Sequence, residues 1–262
     1  MTFTDAQPTK PAKPAPISAN ALILVAIFTA LAFALAHLPD PPGVLTFAFV
    51  AVGWILSVVV HEFAHAFVAW KAGDHTIVEK GYLSLDPLKY TDLQTSLILP
   101  LIALAVGGIG FPGGAVYLRE DLMRSKRGRA LASLAGPLGT LTVLVVLAVC
   151  LAADRAFGVE TSALSRAAAF LAFLQAFALV LNLLPLPGLD GFGVIRPYLP
   201  EAVQQQAQRL GGLVFIGLFL AIFFVPGVSH ALYAVVLTIT DLFGIARQDI
   251  GAGIGAFRFW EA

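Results

Sequence analysis

The sequence predicts an all-α membrane protein with five to six transmembrane helices. Apolar residues make up 58% of the 262 residues, charged residues make up only 12%, and the mean hydropathy is +0.86. A soluble domain carries about 25% charged residues, so this composition excludes both an ordinary globular enzyme and a disordered chain. The formal net charge is zero. We therefore expect the lipid bilayer as a partner and no nucleic acid.

Segments without charged side chains locate the membrane helices, because a charge at the bilayer centre costs roughly 2.5–3.5 kcal/mol. About 20 apolar residues cross the hydrocarbon core, and six charge-free segments are long enough. The predicted helices are 20–38, 44–70, 94–110, 130–152, 167–185 and 210–240. Pro226 and Gly227 interrupt the last segment, so we expect a helix to end or kink there and a second, shallower helix to follow over 228–246.

The two ends of the chain are predicted to lie outside the membrane domain. Residues 1–19 contain four prolines and two lysines and cannot bury a core, which predicts a disordered N-terminal tail. Residues 20–246 form the predicted membrane domain, and 247–262 a C-terminal tail. Ala34-Leu35-Ala36 has the form of a signal-peptidase site, so removal of the first helix is an alternative to its retention as an anchor.

The second predicted helix carries the motif His61-Glu62-x-x-His65. Positions i and i+4 share one face of a helix, so the two imidazoles can chelate one metal ion. Glu62 lies about 100° further round the helix and can reach a metal-bound water without being a ligand. Three ionisable side chains are costly in a membrane helix and indicate function. The alternative is a satisfied polar cluster that only fixes helix packing.

A catalytic zinc ion needs a third protein ligand, and keeps its fourth position for water. The best candidate is Asp190, which follows the fifth predicted helix. Pro185 and Pro187 break that helix, and a polar turn at membrane depth is tolerated only where it lines a cavity or packs on protein. Asp190 would complete a His-His-carboxylate set for one Zn²⁺ ion. The alternative is an Asp that caps the segment after it.

Two further features concern packing. Ala132, Gly136 and Gly139 have small-residue spacing, which predicts a close helix contact rather than a chemical role. Cys150 lies in an apolar run and cannot form an internal disulfide, so we expect a buried, inert thiol.

These motifs together resemble the site-2 proteases, the zinc metalloproteases that cut proteins within membranes. The resemblance rests on the HExxH motif in a membrane helix, on Ala135-Gly136-Pro137, and on Asn182-x-x-Pro185-x-Pro187-x-Leu189-Asp190-Gly191. It covers roughly residues 60–196 and is closest to the compact bacterial branch that has no PDZ-like or CBS-like module. One departure is a single Gly191 before Phe192, where many members have two glycines.

The resemblance implies a role for each site residue. His61, His65 and Asp190 match the zinc ligands, and Glu62 matches the catalytic glutamate. Asn182 matches an asparagine that helps hold the substrate or polarise its carbonyl group.

One shared metal ion also constrains the path of the chain. Helices 44–70 and 167–185 should run in the same direction, so an odd number of crossings must separate them. Residues 107–114 hold five glycines and a proline. We therefore predict that 94–118 is a re-entrant hairpin with a strand over 115–118 near the zinc site, with a full span as the alternative. The re-entrant path puts 12 of the 16 Lys and Arg residues on the N-terminal side, which predicts a cytoplasmic N-terminus and an external C-terminus.

The predicted function is hydrolysis of peptide bonds in membrane-spanning protein substrates, by a zinc metalloendopeptidase of the bacterial inner membrane acting in regulated intramembrane proteolysis. A catalytically silent membrane scaffold that binds partners is the main alternative. An ion transporter would place more ionisable groups on the other helices. The sequence predicts neither the substrate nor the oligomeric state.

Overall fold

A computed structural model describes residues 17–90, 117–158 and 161–261 of the chain. Its α-helices are α1 Ala19–His37, α2 Gly43–Ala72, α3 Thr76–Glu79, α4 Lys126–Ala156, α5 Ala163–Leu183, α6 Asp190–Ile195, α7 Glu201–Phe224, α8 Pro226–Leu242 and α9 Arg247–Phe257. Short 3₁₀ helices cover Pro87–Lys89, Glu120–Leu122, Arg196–Tyr198 and Phe259–Glu261. The described ranges contain no strand.

Four helices, α1, α2, α4 and α5, are each long and apolar enough to cross a bilayer. Helix α7 bends by 41° between 201–214 and 216–224, and α8 meets α9 at 118°. If each bent pair counts as one span, the number of candidate spans is six. The predicted all-α polytopic membrane fold is therefore confirmed. The predicted helix 94–110 lies outside the described residues, as does nearly all of the re-entrant segment 94–118 with its strand 115–118.

Helix boundaries follow local capping chemistry. Ser125 begins α4 by accepting a hydrogen bond from the Gly128 amide, and Ser162 forms a capping box with Ser165 at the start of α5. Pro226 occupies the first turn of α8, where a missing backbone N–H is tolerated. Helix α7 ends at Phe224 just before it. The predicted break at Pro226-Gly227, with a second helix after it, is confirmed.

The bundle is built around α5, which is buried on all sides over most of its length. Helix α2 packs antiparallel on α4, because His61 contacts Thr140 while His65 contacts Ala132. Helix α4 in turn runs antiparallel to α5, since only a short connection joins them and Ser165 donates to Asp154. Helices α2 and α5 are therefore parallel, which is the direction that a shared metal ion requires.

The segment 247–262, predicted as a C-terminal tail, contains a helix. Helix α9 covers most of 247–262 and packs on α5, where Gly253 lies directly against the Arg166 carbonyl group. The Phe257 ring is fully buried and contacts Phe170 and Phe47. The apolar face of α9 thus completes one side of the core around α5.

The expectation of a buried Cys150 is wrong. Its side chain is exposed on the outer surface of α4, where exposed Val146 and Val149 lie beside it. An apolar run in a membrane helix includes the face directed at lipid, so an apolar neighbourhood in the sequence does not establish burial in the protein.

A close contact at Gly53 tests the packing of the bundle. A Cβ atom there would lie 2.5 Å from Leu171 Cδ2 on α5 and 2.9 Å from Phe28 Cε2 on α1. We expect Gly53→Leu to destabilise the protein by about 1–3 kcal/mol, because overpacking forces the helices apart. The measurement is the midpoint of thermal unfolding in detergent micelles. Gly217→Leu on α7 is the control, since its Cβ would meet nothing within 4 Å. Equal midpoints for the two variants would contradict this packing.

Candidate metal centre

Three side chains predicted as metal ligands meet inside the bundle. His61 Nε2 lies 3.0 Å from His65 Nε2 and 3.2 Å from Asp190 Oδ2, and His65 Nε2 lies 3.3 Å from Asp190 Oδ1. Ligand atoms about 2.0–2.2 Å from a tetrahedral zinc ion are separated by roughly 3.3–3.6 Å. The distances between the three side chains are close to the edge lengths of such a site.

Hydrogen bonds from the far side of each ring orient the two imidazoles. His65 Nδ1 lies 2.6 Å from the carbonyl oxygen of Ala132, which can only accept, so Nδ1 carries the proton. His61 Nδ1 lies 2.9 Å from Thr140 Oγ1, whose hydroxyl oxygen can accept in the same way. The protonated Nδ1 leaves His65 Nε2 with a lone pair directed at the shared position, and His61 Nε2 has one too when Thr140 accepts from Nδ1, as in most protein metal sites.

The groups that line the site are suited to binding a cation. Asp190 Oδ2 is buried and accepts no hydrogen bond within the described residues. It faces two imidazole nitrogens, so three acceptors converge and no described residue places a donor between them, an arrangement that a divalent ion stabilises. Gly136 of α4 lies opposite, and a Cβ atom there would overlap both Nε2 atoms. Because glycine has no Cβ atom, the space beside both Nε2 atoms stays open.

A fold-back of the chain brings Asp190 to the histidines. Helix α5 ends at Leu183, and Gly188 takes a positive φ of 98° in the turn that follows. Helix α6 begins at Asp190, and Gly191 lies so close to the Leu183 and Leu184 carbonyl groups that a Cβ atom would overlap them. The proline-broken segment therefore returns into the bundle. The chain makes this return with a single glycine, Gly191, before Phe192.

Helix α6 is held in place from two sides. Gly193 packs on Ser133 of α4, where a Cβ atom would lie 2.5 Å from Ser133 Oγ. Arg196, at the end of α6, forms an ion pair with Glu120. Neither contact was found from the sequence, because each joins segments far apart in the chain with no shared periodicity.

The two residues proposed for catalysis are both buried close to the ligand segments. Glu62 follows His61 on α2 and is 4% exposed. The burial of Tyr90 and the negative charge of Glu62 both raise the pKa of the Tyr90 hydroxyl. Asn182, 6% exposed, lies in the last turn of α5, immediately before the segment that leads to Asp190. Their roles stay predictions.

Close packing of α4 on α2 is confirmed at the predicted small residues. A Cβ atom at Gly139 would lie 3.1 Å from the Val60 carbonyl oxygen, and Ala132 is fully buried. Two of the three also contact the candidate ligands directly: Gly136 leaves room at Nε2 of both histidines, and the Ala132 carbonyl accepts from His65. Interpreting them as packing residues alone was therefore incomplete.

A polar anchor lies where α2 ends. The Asp74 carboxylate is fully buried and accepts hydrogen bonds from the Thr76 amide and hydroxyl and from the Arg119 amide, at 3.1, 2.6 and 2.8 Å. It joins the loop after α2 to the segment that precedes α4. Asp74 was also missed, although its position directly after the helix-ending Gly73 is typical of an anchoring carboxylate.

The two imidazoles of an HExxH helix meet a carboxylate from a distant part of the chain, within a bundle of long apolar helices. This combination is typical of a membrane-embedded zinc metalloprotease. The chain is 40% identical over 255 residues to Rip2 of Mycolicibacterium smegmatis, and 42% identical over 253 residues to Rip2 of Mycobacterium tuberculosis, with 95% of each chain covered in both cases. It is 33% identical over 174 residues to YwhC of Bacillus subtilis. This aligned region covers 63% of this chain and 77% of YwhC. The names of all three assign them to the zinc metalloproteases.

No family model and no solved structure matches the chain. The similarity to Rip2 over nearly the full length of both proteins nevertheless establishes the family. The chain belongs to the site-2 protease family, in its compact form. It is a multi-pass membrane protein and a zinc metalloprotease that acts on a protein substrate.

The Thr140 hydroxyl gives a direct test of how His61 is oriented. We expect Thr140→Val to weaken zinc binding by about 10–100-fold, because the His61 ring loses the hydrogen-bond partner that orients it. The measurement is a competition titration of the purified protein with a zinc chelator. Thr142→Val, on the same helix, is the control, because the Thr142 hydroxyl is exposed and donates only to Leu138 of its own helix. Unchanged affinity in Thr140→Val would mean that this hydroxyl does not orient His61.

Proposed function

We propose that this protein hydrolyses peptide bonds within membrane-spanning protein substrates. In this proposal His61, His65 and Asp190 hold the zinc ion, Glu62 moves the proton, and Asn182 binds the substrate. The observation that carries the proposal is the depth of the site. His61 lies 11 residues before the end of α2, about 16 Å along the helix axis, and His65 is only 7% exposed. A polypeptide that enters the bilayer can reach such a site more readily than one in bulk water.

Zinc, when bound, supplies Lewis-acid chemistry that polarises a carbonyl group and makes water a nucleophile near neutral pH. Glu62 accepts the proton of the attacking water and passes it to the leaving amine. Its position next to His61 on α2 supports this role, because a residue adjacent to a ligand reaches the reacting water without binding the metal. Burial of Glu62 excludes bulk water, which strengthens its interaction with the developing charge.

The substrate must expose a carbonyl group before it can be cut. A helical substrate keeps its carbonyl groups in i to i−4 hydrogen bonds, so the segment to be cleaved has to unwind locally. The Asn182 side-chain amide would then donate to a freed carbonyl oxygen. Its place at the end of α5, just before the segment that carries Asp190, supports this role.

We also propose that the protein resides in the bacterial inner membrane with its N-terminus in the cytoplasm. The end of the bundle where α2 finishes and α4 begins carries most of the basic residues, including Lys71, Lys80 and Lys126–Arg129. In the same proposal residues 20–246 form the metalloprotease domain within the bilayer, 1–19 precede it, and 247–262 follow it with helix α9 packed on α5.

The role of Glu62 is tested by its isosteric amide. We expect Glu62→Gln to keep one zinc ion per chain and to lose cleavage, because the amide cannot accept the proton of the attacking water. The measurement combines metal analysis with cleavage of a single-span protein substrate in proteoliposomes. Glu79→Gln, at an exposed position on α3, is the control and should cleave normally. A Glu62→Gln variant that still cuts would refute this mechanism.

The place of the cut tests the substrate class separately. Mass spectrometry of the products should locate the new termini within the hydrophobic span of that substrate. Cuts found only outside the span would contradict intramembrane cleavage while leaving the protease activity itself intact.

A further inference from the structure

A short segment before α4 contacts both parts of the chain that carry the candidate ligands. We call residues 117–124 the linking segment. The Arg119 amide donates to the buried Asp74 carboxylate at 2.8 Å. The Arg124 amide donates to the carbonyl oxygen of Ala72 at 3.0 Å, and Ala72 is the last residue of α2, the helix with both histidines. The linking segment is therefore fixed to the end of α2.

An ion pair joins the same segment to α6. Glu120 pairs with Arg196, the residue directly after the end of α6. The Arg196 and Glu120 side chains are only 20% and 29% exposed, so solvent screens their attraction less than that of a fully exposed pair. A charge left without its partner in such a position is costly. The pair is therefore suited to holding α6 against the linking segment.

The neighbouring carboxylate offers a comparison within the segment. Asp121 pairs with the Arg119 side chain at 2.7 Å, and both residues belong to the linking segment. Both side chains are more than half exposed. The Asp121 pair thus stays within the segment and faces solvent, whereas the Glu120 pair reaches a second part of the chain.

Helix α6 depends on such contacts because it is short. It has six residues, Asp190–Ile195, and a helix of that length is not stable by its own hydrogen bonds. Gly193 holds its middle against Ser133 of α4, and Arg196 holds its end. Metal–ligand distances must be kept within about 0.2 Å, so even a small displacement of α6 weakens a metal site that uses its first residue.

We propose that the Glu120–Arg196 ion pair positions Asp190 for zinc binding. The pair ties α6 to the linking segment, and Asp74 ties that segment to the end of α2. A continuous set of contacts thus connects the helix that carries the two histidines with the helix that carries the carboxylate. Glu120 and Arg196 are positioning residues, which act through Asp190 rather than on the metal itself. This role rests on the proposed zinc ligands.

The test is a competition titration of the purified full-length protein with a zinc chelator in detergent micelles. We expect Glu120→Gln to weaken zinc binding about tenfold, the lower end of the effect of removing a group that orients a metal ligand. Asp121→Asn is the matched control, because it makes the same chemical change one residue away in a pair that stays within the segment. It should bind zinc like the wild type. Equal zinc affinities of the two variants would overturn the proposal.

Asp190→Ala in the same titration separates the positioning role from the proposed ligand set. Weak zinc binding by Asp190→Ala beside wild-type binding by Glu120→Gln would overturn the positioning role alone. Wild-type affinity in Asp190→Ala would overturn the ligand set and the positioning role together.

Variants of Arg196 test the ion pair itself. Arg196→Gln should bind zinc as weakly as Glu120→Gln, and the double variant should bind no more weakly than either, because each change alone already breaks the pair. Arg196→Lys keeps the positive charge and should bind zinc more tightly than Arg196→Gln. Losses that multiply in the double variant, or a lysine variant as weak as the glutamine variant, would contradict the proposal.

Thermal unfolding of the same variants without zinc distinguishes positioning from a purely structural role. A purely structural ion pair would lower the unfolding midpoint of Glu120→Gln and leave the zinc affinity of the folded protein at the wild-type value. That result would overturn the proposal. Should Glu120→Gln not fold, the comparison of Arg196→Lys with Arg196→Gln still decides it.

Discussion

The structure depends on one electrostatic constraint: two imidazole lone pairs and a carboxylate converge within the apolar interior of a membrane protein. Without a cation between them, these acceptors would repel one another, and the surrounding helices could not satisfy them. The candidate ligands come from α2 and from the start of α6, where Asp190 lies 125 residues further along the chain than His65. The need to join these segments explains why α2 and α5 are parallel and why the chain folds back after Leu183.

Helix α4 supplies the groups that orient the two imidazole rings. It approaches α2 closely enough for the Ala132 carbonyl to fix the tautomer of His65 and for the Thr140 hydroxyl to orient the His61 ring, and Gly136 leaves the space between the two rings open. A larger residue at position 136 would block that position. Close helix packing in lipid, which small residues permit, therefore serves the metal site as well as the stability of the bundle.

Much of this arrangement could be predicted from the sequence, because its strongest signals are local. The HExxH spacing and the proline-broken segment before Asp190 each follow from residues within a few positions of one another. Thr140 and the Ala132 carbonyl could not be found, since a contact between helices depends on their register and a backbone carbonyl has no residue signature. Cys150 was misplaced for a related reason: hydropathy does not distinguish a face that packs on protein from one directed at lipid.

X-ray absorption spectroscopy of the zinc-loaded protein tests the shared ligand set most directly. The account predicts one zinc ion per chain, with only nitrogen and oxygen ligands at about 2.0–2.2 Å and the outer-shell scattering of two imidazoles. Asp190→Ala should bind zinc more weakly and lose one oxygen ligand while both imidazoles remain. A sulfur ligand at about 2.3 Å, or a spectrum that Asp190→Ala leaves unchanged, would contradict the account.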